Sequence, residues 1–173
     1  TGSVQGFMTA STIQLALATG AIANKGKLLT PRVLMHSQSK DGESYFESQT
    51  ESKQIPIKNI DNWELIIQSM KQTIYGKLGT AKRLNNKLNY TLAGKTGTAQ
   101  VFGLDPEEEY IAENIDEKLR DHALFTAFAP IENPQVAIAI IVENAGSGSS
   151  KAATLARELL DDTCIQNPVK LKT

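Results

Sequence analysis

Along the first half of the chain, apolar positions recur at helical spacing. Ser11 followed by Gln14 has the spacing of a capping box, and Ile13, Ala16, Leu17 and Ala21 make one stripe behind it. Asn24-Lys25-Gly26 supplies the stop, since glycine enters the left-handed region without steric penalty. Residues 28–34 read as a short extended segment, which Pro31 confines to an edge or leaves unpaired. Residues 36–60 are polar and weakly patterned, as in a surface hairpin or irregular excursion. A second helix is predicted over residues 62–75, with Asp61 as its cap, Glu64 completing the box, and Leu65, Ile66, Met70 and Ile74 facing inward. Gly76 ends it, and Gly79-Thr80-Ala81 opens a further short helical turn.

The second half changes period. Residues 90–102 carry threonines, small residues, Gly94 and Gly97, a strand that another backbone must approach closely. Residues 105–121 are acidic and partly helical in pattern. Residues 122–129 and 135–143 are apolar runs of strand length, joined by a tight turn at Glu132-Asn133-Pro134. Gly146-Ser147-Gly148-Ser149-Ser150 then leads into a last helix with Ala152, Leu155, Ala156, Leu159 and Leu160 on its inner side. Two successive hairpin-type links imply an antiparallel sheet with a helix packed on one face, an α/β fold of the α+β kind. No internal repeat and no linker divides the chain.

Composition narrows the function classes. A chain of 173 residues holds one domain with a core of its own, and 40% hydrophobic with 21% charged residues is globular rather than disordered. The net charge of −1, with basic residues scattered and no interleaved aromatics, gives no reason to expect a nucleic-acid partner. Cys164 stands alone, which excludes an internal disulfide and reads as a small core residue. His36 and His122 are far apart with no ligand spacing, so neither a metal nor another cofactor is expected. Eight carboxylates against two basic residues over 105–121 read as a solvated face rather than a cation site. No apolar run approaches the ~18 residues of a membrane span, and no signal-peptide pattern opens the sequence. Asn89-Tyr90-Thr91 fits a glycosylation acceptor but enters a core strand, which argues against that use.

The chemistry sits at Ala93-Gly94-Lys95-Thr96-Gly97-Thr98-Ala99. Lys-Thr-Gly is a three-letter match that any strand with a solvent-reaching lysine satisfies, so its surroundings carry the meaning. Lys95 places a fixed cation beside Thr96 and Thr98, whose hydroxyls suit a carboxylate, and Gly97 lets a ligand backbone lie along the strand. The Thr98 N–H could hold a developing oxyanion, where one lost donor typically raises the barrier by ~3–4 kcal/mol.

The motif is paired with Ser-x-x-Lys and a Ser-Asp-Asn in penicillin-binding proteins and class A β-lactamases. The chain resembles the C-terminal part of the transpeptidase domain of a class B penicillin-binding protein, and most of all the Gram-negative cell-elongation subgroup. The resemblance runs collinearly through Gln5-Gly6-Phe7-Met8-Thr9-Ala10, Ala23-Asn24-Lys25-Gly26, and residues 94–104. It continues through Leu119-Arg120-Asp121-His122-Ala123-Leu124-Phe125-Thr126-Ala127-Phe128-Ala129-Pro130, then Asn133-Pro134-Gln135-Val136-Ala137 and Val142-Glu143-Asn144. It implies a penicillin-binding/serine β-lactamase-like fold, here without its first strands and nucleophile helix. It also implies a serine D,D-transpeptidase that cross-links peptidoglycan stem peptides through an acyl-serine and is acylated by β-lactam antibiotics. By the same resemblance, Lys95 and Thr98 are the catalytic residues of this part, and Lys95, Thr96, Gly97 and Thr98 bind substrate or β-lactam. Implied partners are elongation-complex membrane proteins, including a lipid II-polymerising glycosyltransferase. The implied location is the periplasmic face of the inner membrane, reached through an N-terminal anchor outside this chain.

Departures from the family pattern bound that reading. No Ser-x-Asn occurs, and the one Ser-x-x-Lys, Ser37 to Lys40, lies downstream of the Gln-Gly-Phe-Met region and runs into an Asp41-Gly42 turn. Ser37 is therefore a coincidental match in a polar loop, and the nucleophile is not expected in this chain. Residues 1–4 read as a cloning scar or altered junction, 5–166 as the transpeptidase portion, and 167–173 as a polar tail. One other reading stays open, a non-catalytic peptide- or partner-binding module on the same scaffold; the subgroup resemblance argues against a third, a serine β-lactamase.

Overall fold

The computed structural model describes residues 9–34, 36–42, 44–47, 51–101, 115–145 and 151–166. The expected altered junction, the Gln5 to Met8 match, most of the acidic segment, the glycine-serine run at 146–150 and the polar tail lie outside these residues. Helix α1 (Thr12–Ala23) is followed by β1 (Lys27–Leu29), a hairpin of β2 (His36–Gln38) and β3 (Ser44–Glu47), and β4 (Ser52–Gln54). Helix α2 (Asp61–Tyr75), a short 3-10 turn (Lys82–Asn85) and strand β5 (Ala93–Ala99) come next. A second 3-10 turn (Glu117–Leu119), β6 (His122–Ala129), β7 (Val136–Val142) and α3 (Lys151–Gln166) complete the order.

Strands β5, β6 and β7 form a three-stranded antiparallel sheet in that order, as the two hairpin-type links require. β1 pairs with β4 and β2 with β3 in two small separate sheets. Pro31, without an N–H to give a ladder, falls just beyond β1. The polar stretch is a hairpin, with a register irregularity between Ser37 and Gln38.

Alternation along β6 divides the core in two. Ala123, Phe125, Ala127 and Ala129 are fully buried in a cluster with Ala152, Ala153, Ala156 and Leu160 of α3. Phe128 points to the opposite face and packs with Ala93, Ala23 of α1, and Ile67 and Met70 of α2. Helices thus cover both faces of the sheet, where one face was expected. The end of α2 and the segment after it reach the α3 side, where Ile74, Ala81, Leu84 and Leu92 join the first cluster.

The predicted box at Ser11 forms in full: the Ser11 hydroxyl accepts from the Gln14 N–H, and the Gln14 side chain accepts from the Ser11 N–H. Lys25 and Gly26 take positive φ of 50° and 96° at the helix stop. A Cβ on Gly26 would lie 2.6 Å from Gln54 Nε2 and 2.9 Å from the Trp63 ring, so the stop also needs glycine for space.

Other helical expectations are corrected. Asp61 does not cap α2; its own N–H is bound by the Asn59 side chain, and Ile60 precedes the helix in αR conformation. Glu64 completes no box, accepting instead from Gln68 and pairing with Lys25 at 3.0 Å. These two contacts, Gln68 first, hold its carboxyl below the ordinary range. The inner face of α2 is Trp63, Ile67, Met70, Thr73 and Ile74, while Leu65 and Ile66 are exposed. Ile13 of α1 and Leu155 and Leu159 of α3 are likewise exposed, leaving alanines and Leu160 to meet the sheet.

Candidate functional site

Strand β5 carries the Lys-Thr-Gly-Thr motif along one side of the sheet, paired on its other side to β6. Alternation puts Gly94, Thr96 and Thr98 on one face, and Ala93, Lys95, Gly97 and Ala99 on the other. The cross-strand register agrees: Thr96 lies opposite Phe125 and Thr98 opposite Ala123, both of which face α3. The two hydroxyl-bearing residues therefore share a face, two positions apart, with Lys95 and Thr98 exposed and Thr96 half-buried.

Lys95 starts on the opposite face, yet its Nζ donates to the Thr96 carbonyl at 2.8 Å. A residue's N–H and C=O share one edge of a strand, and residues i and i+2 repeat it. The Thr98 backbone groups therefore lie on the same edge of β5 as the Thr96 carbonyl. Within residues 95–98 the strand thus carries an ammonium, two hydroxyls and the Thr98 amide, a donor set suited to a carboxylate beside a developing oxyanion.

The two glycines have different reasons. A Cβ on Gly94 would lie 2.6 Å from Phe125 Cζ and 3.0 Å from the Thr126 carbonyl, so Gly94 is fixed by core packing. On Gly97 the nearest atom would be Leu124 Cβ at 3.2 Å, a tight but milder approach. Its missing side chain mainly opens space on the face that carries the Lys95 stem.

The far end of β5 is anchored through Asp121 and Asn144. The Val101 N–H donates to buried Asp121 at 3.4 Å. Asn144, in left-handed conformation, gives its N–H to His122 Nδ1 and its side-chain amide to the carbonyls of Lys118 and Arg120. The described end of the acidic segment is thus tied to the end of β7 by hydrogen bonds. Among the described residues no group of His, Cys, Asp and Glu side chains could hold a metal ion.

Ser37 lies in β2, opposite Phe46 of β3, in a small sheet separate from the one that holds Lys95. One residue at the site escaped the sequence. Thr80, on the segment after α2, has its hydroxyl 2.9 Å from that of Thr96. Sixteen residues separate the two, and no periodicity or motif spacing links them.

A model of the penicillin-binding protein transpeptidase domain matches residues 2–161 of this sequence. The chain belongs to the penicillin-binding protein transpeptidase domain family. Within that family it is 39% identical over 160 residues to the peptidoglycan D,D-transpeptidase MrdA of Haemophilus influenzae, covering 92% of this chain and 24% of the relative. The crystal structure of Pseudomonas aeruginosa PBP2 in complex with WCK 5153 superimposes with a TM-score of 0.71 at 36% identity, over 98% of this chain and 32% of the other. PBP2 of Helicobacter pylori, solved as a complex with MreC, is similar with a TM-score of 0.69 and 27% identity, over 94% of this chain and 26% of the other. The fold is thus that of penicillin-binding protein transpeptidase domains, and the chain spans about a quarter of the length of the curated relative it matches.

Proposed function

We propose that this chain forms the Lys-Thr-Gly wall of a PBP2-type peptidoglycan D,D-transpeptidase. In the reaction, a serine outside these residues attacks the penultimate D-Ala carbonyl of a stem peptide and terminal D-Ala leaves. A neighbouring amine then takes the acyl group from the serine. β-Lactams enter the same path and stop at the acyl-enzyme. This reading rests on residues 95–98 of β5, which bring the Lys95 ammonium, the Thr96 and Thr98 hydroxyls and the Thr98 amide onto one short stretch of strand.

The roles follow from placement. Thr96 and Thr98, on one face, receive the ligand carboxylate, and Lys95 supplies the positive field at the edge where the nucleophile must approach. Gly97 keeps its face open so that an extended peptide can lie against β5 as a further strand. The Thr98 N–H serves as one oxyanion donor, and the serine's own N–H serves as the other. The full-length protein is anchored in the inner membrane with this domain on the periplasmic side. The H. pylori PBP2–MreC complex supports elongation-complex proteins as its partners, and a lipid II-polymerising glycosyltransferase fits the same setting.

Labelling with a fluorescent penicillin tests the reading. The full-length protein should take up label on a serine upstream of these 173 residues, and the isolated chain should take up none. Label mapped to any serine within this chain would overturn the assignment of the nucleophile. A full-length protein that binds stem peptide but never labels would favour the non-catalytic binding module instead.

A further inference from the structure

Thr80 is held in place by backbone rather than by chance. The Gly76 N–H donates to the Gln72 carbonyl at 2.9 Å and the Gly79 N–H to the Gly76 carbonyl at 3.0 Å. The Ala81 N–H reaches back to the Thr73 carbonyl at 3.0 Å, and Ala81 itself is fully buried. A Cβ on Gly79 would lie 2.4 Å from the Thr73 carbonyl oxygen, so this segment lies tight on the last turn of α2. That turn is fixed in turn by Ile74, packed in the α3-side core with Leu92 and Phe125. The scaffold therefore delivers the Thr80 hydroxyl to a fixed point, 2.9 Å from Thr96 Oγ1.

We infer that Thr80 is a positioning residue for the carboxylate-binding hydroxyl of Thr96. A threonine hydroxyl has one proton and two acceptor sites, and its proton rotates to suit its neighbours. With Thr80 alone, either oxygen can donate. An anion beyond Thr96 settles the direction: Thr80 donates to Thr96, and Thr96 turns its own proton to the carboxylate. Each bond in such a chain polarises the next, so the Thr80 hydroxyl strengthens the donor that Thr96 presents once the anion has fixed the direction. The inference rests on the carboxylate-binding role proposed above for Thr96.

The test is acylation of the full-length protein by a penicillin and by its methyl ester, in which the carboxylate is masked. Thr80→Val keeps the shape and removes the hydroxyl, with Thr80→Ala as a second removal should valine disturb folding. Loss of one hydrogen bond in the chain should slow acylation by the free acid roughly two- to tenfold. Thr80→Ser should restore most of that rate. With the methyl ester the penalty should largely disappear, which a general loosening of the fold would not produce. The double variant Thr80→Val/Thr96→Val should be little slower than Thr96→Val alone, since Thr80 acts only through Thr96. If Thr96→Val slows the free acid selectively while Thr80→Val matches the parent, or slows acid and ester equally, the inference about Thr80 is wrong and the site assignment stands. If Thr96→Val itself fails to discriminate acid from ester, the carboxylate site is misassigned and the inference falls with it.

Discussion

Arg157 and Asp161, one turn apart on α3, form a two-point ion pair in which Arg157 Nε lies 2.6 and 2.7 Å from the two carboxylate oxygens. The guanidinium also donates to the carbonyls of Leu84, Asn86 and Lys87, and stacks 5.9 Å above the ring of Tyr90. Asp161 accepts from the Tyr90 hydroxyl at 2.8 Å. One arginine thus fastens the last helix to the 3-10 turn and to the approach of β5. Arg157→Ala strands a half-buried carboxylate and three carbonyls, and should lower stability by about 1.5–3 kcal/mol. Lysine has one point charge and no planar fork, so Arg157→Lys should recover only part of the loss. Urea denaturation of the full-length protein, following the transition of this domain, measures both.

The same network sets an alkaline limit. Burial first, then the hydrogen bond and charge of Asp161, push the Tyr90 phenol well above its ordinary value of 10.0. An acid whose folded pKa is raised holds its proton more tightly when folded. Its contribution is therefore complete below the unfolded pKa near 10 and is lost as pH rises beyond it. Stability should fall between about pH 10 and 11.5 more steeply in the parent than in Tyr90→Phe, which has no proton to lose. Parallel melting curves of the two proteins over this range would show converging stabilities; a constant gap would sink the argument.

The sheet was legible because β6 and β7 are apolar runs of strand length separated by a short Asn-Pro turn, and that pattern leaves little choice but a hairpin. The helices were legible in place but not in phase. On α2 the inner placement of Met70 and Ile74 agrees with the structure, but the large residues Leu65 and Ile66 stood where Trp63 and Ile67 complete a cleaner helical stripe. On α3 the inner placement of Ala152, Ala156 and Leu160 agrees with the structure. Leu155 and Leu159 are exposed and Ala153 joins the inner side instead, since small residues are what let a helix lie close on a sheet. Size is a poor guide to which side faces inward where the contact demands close approach. At the site, Lys95, Thr96, Gly97 and Thr98 were visible as a contiguous string. Thr80 was not, because its contact with Thr96 exists only after α2 and β5 have packed.

The two glycines of the motif should separate stability from ligand approach. Alanine at 94 drives a methyl group into Phe125 and the Thr126 carbonyl, an overpacking that should cost about 1–3 kcal/mol. Alanine at 97 meets only Leu124 Cβ at 3.2 Å, so its stability cost should be the smaller. Its larger effect should be on penicillin acylation, because the methyl group occupies the open face beside Lys95. Thermal melts and acylation rates measured together on both variants check the crossover; Gly97→Ala must not melt lower than Gly94→Ala.

Lys95 should behave in the opposite way to Arg157. Its side chain is exposed and its one described hydrogen bond is to the adjacent Thr96 carbonyl, so little of the fold depends on it. Lys95→Ala should leave the melting temperature of the full-length protein nearly unchanged. If the ammonium supplies the field at the β5 edge, the same change removes a charged donor from the reacting geometry. Such donors contribute about 1.5–3 kcal/mol, so acylation should slow roughly 10- to 100-fold. Lys95→Arg keeps the charge, but its longer planar head does not reproduce a 2.8 Å contact with the next carbonyl along the strand, and should rescue the rate only in part. Full activity in Lys95→Ala would move the positive field to another residue, whereas a rate loss matched by an equal loss of stability would return Lys95 to a structural role.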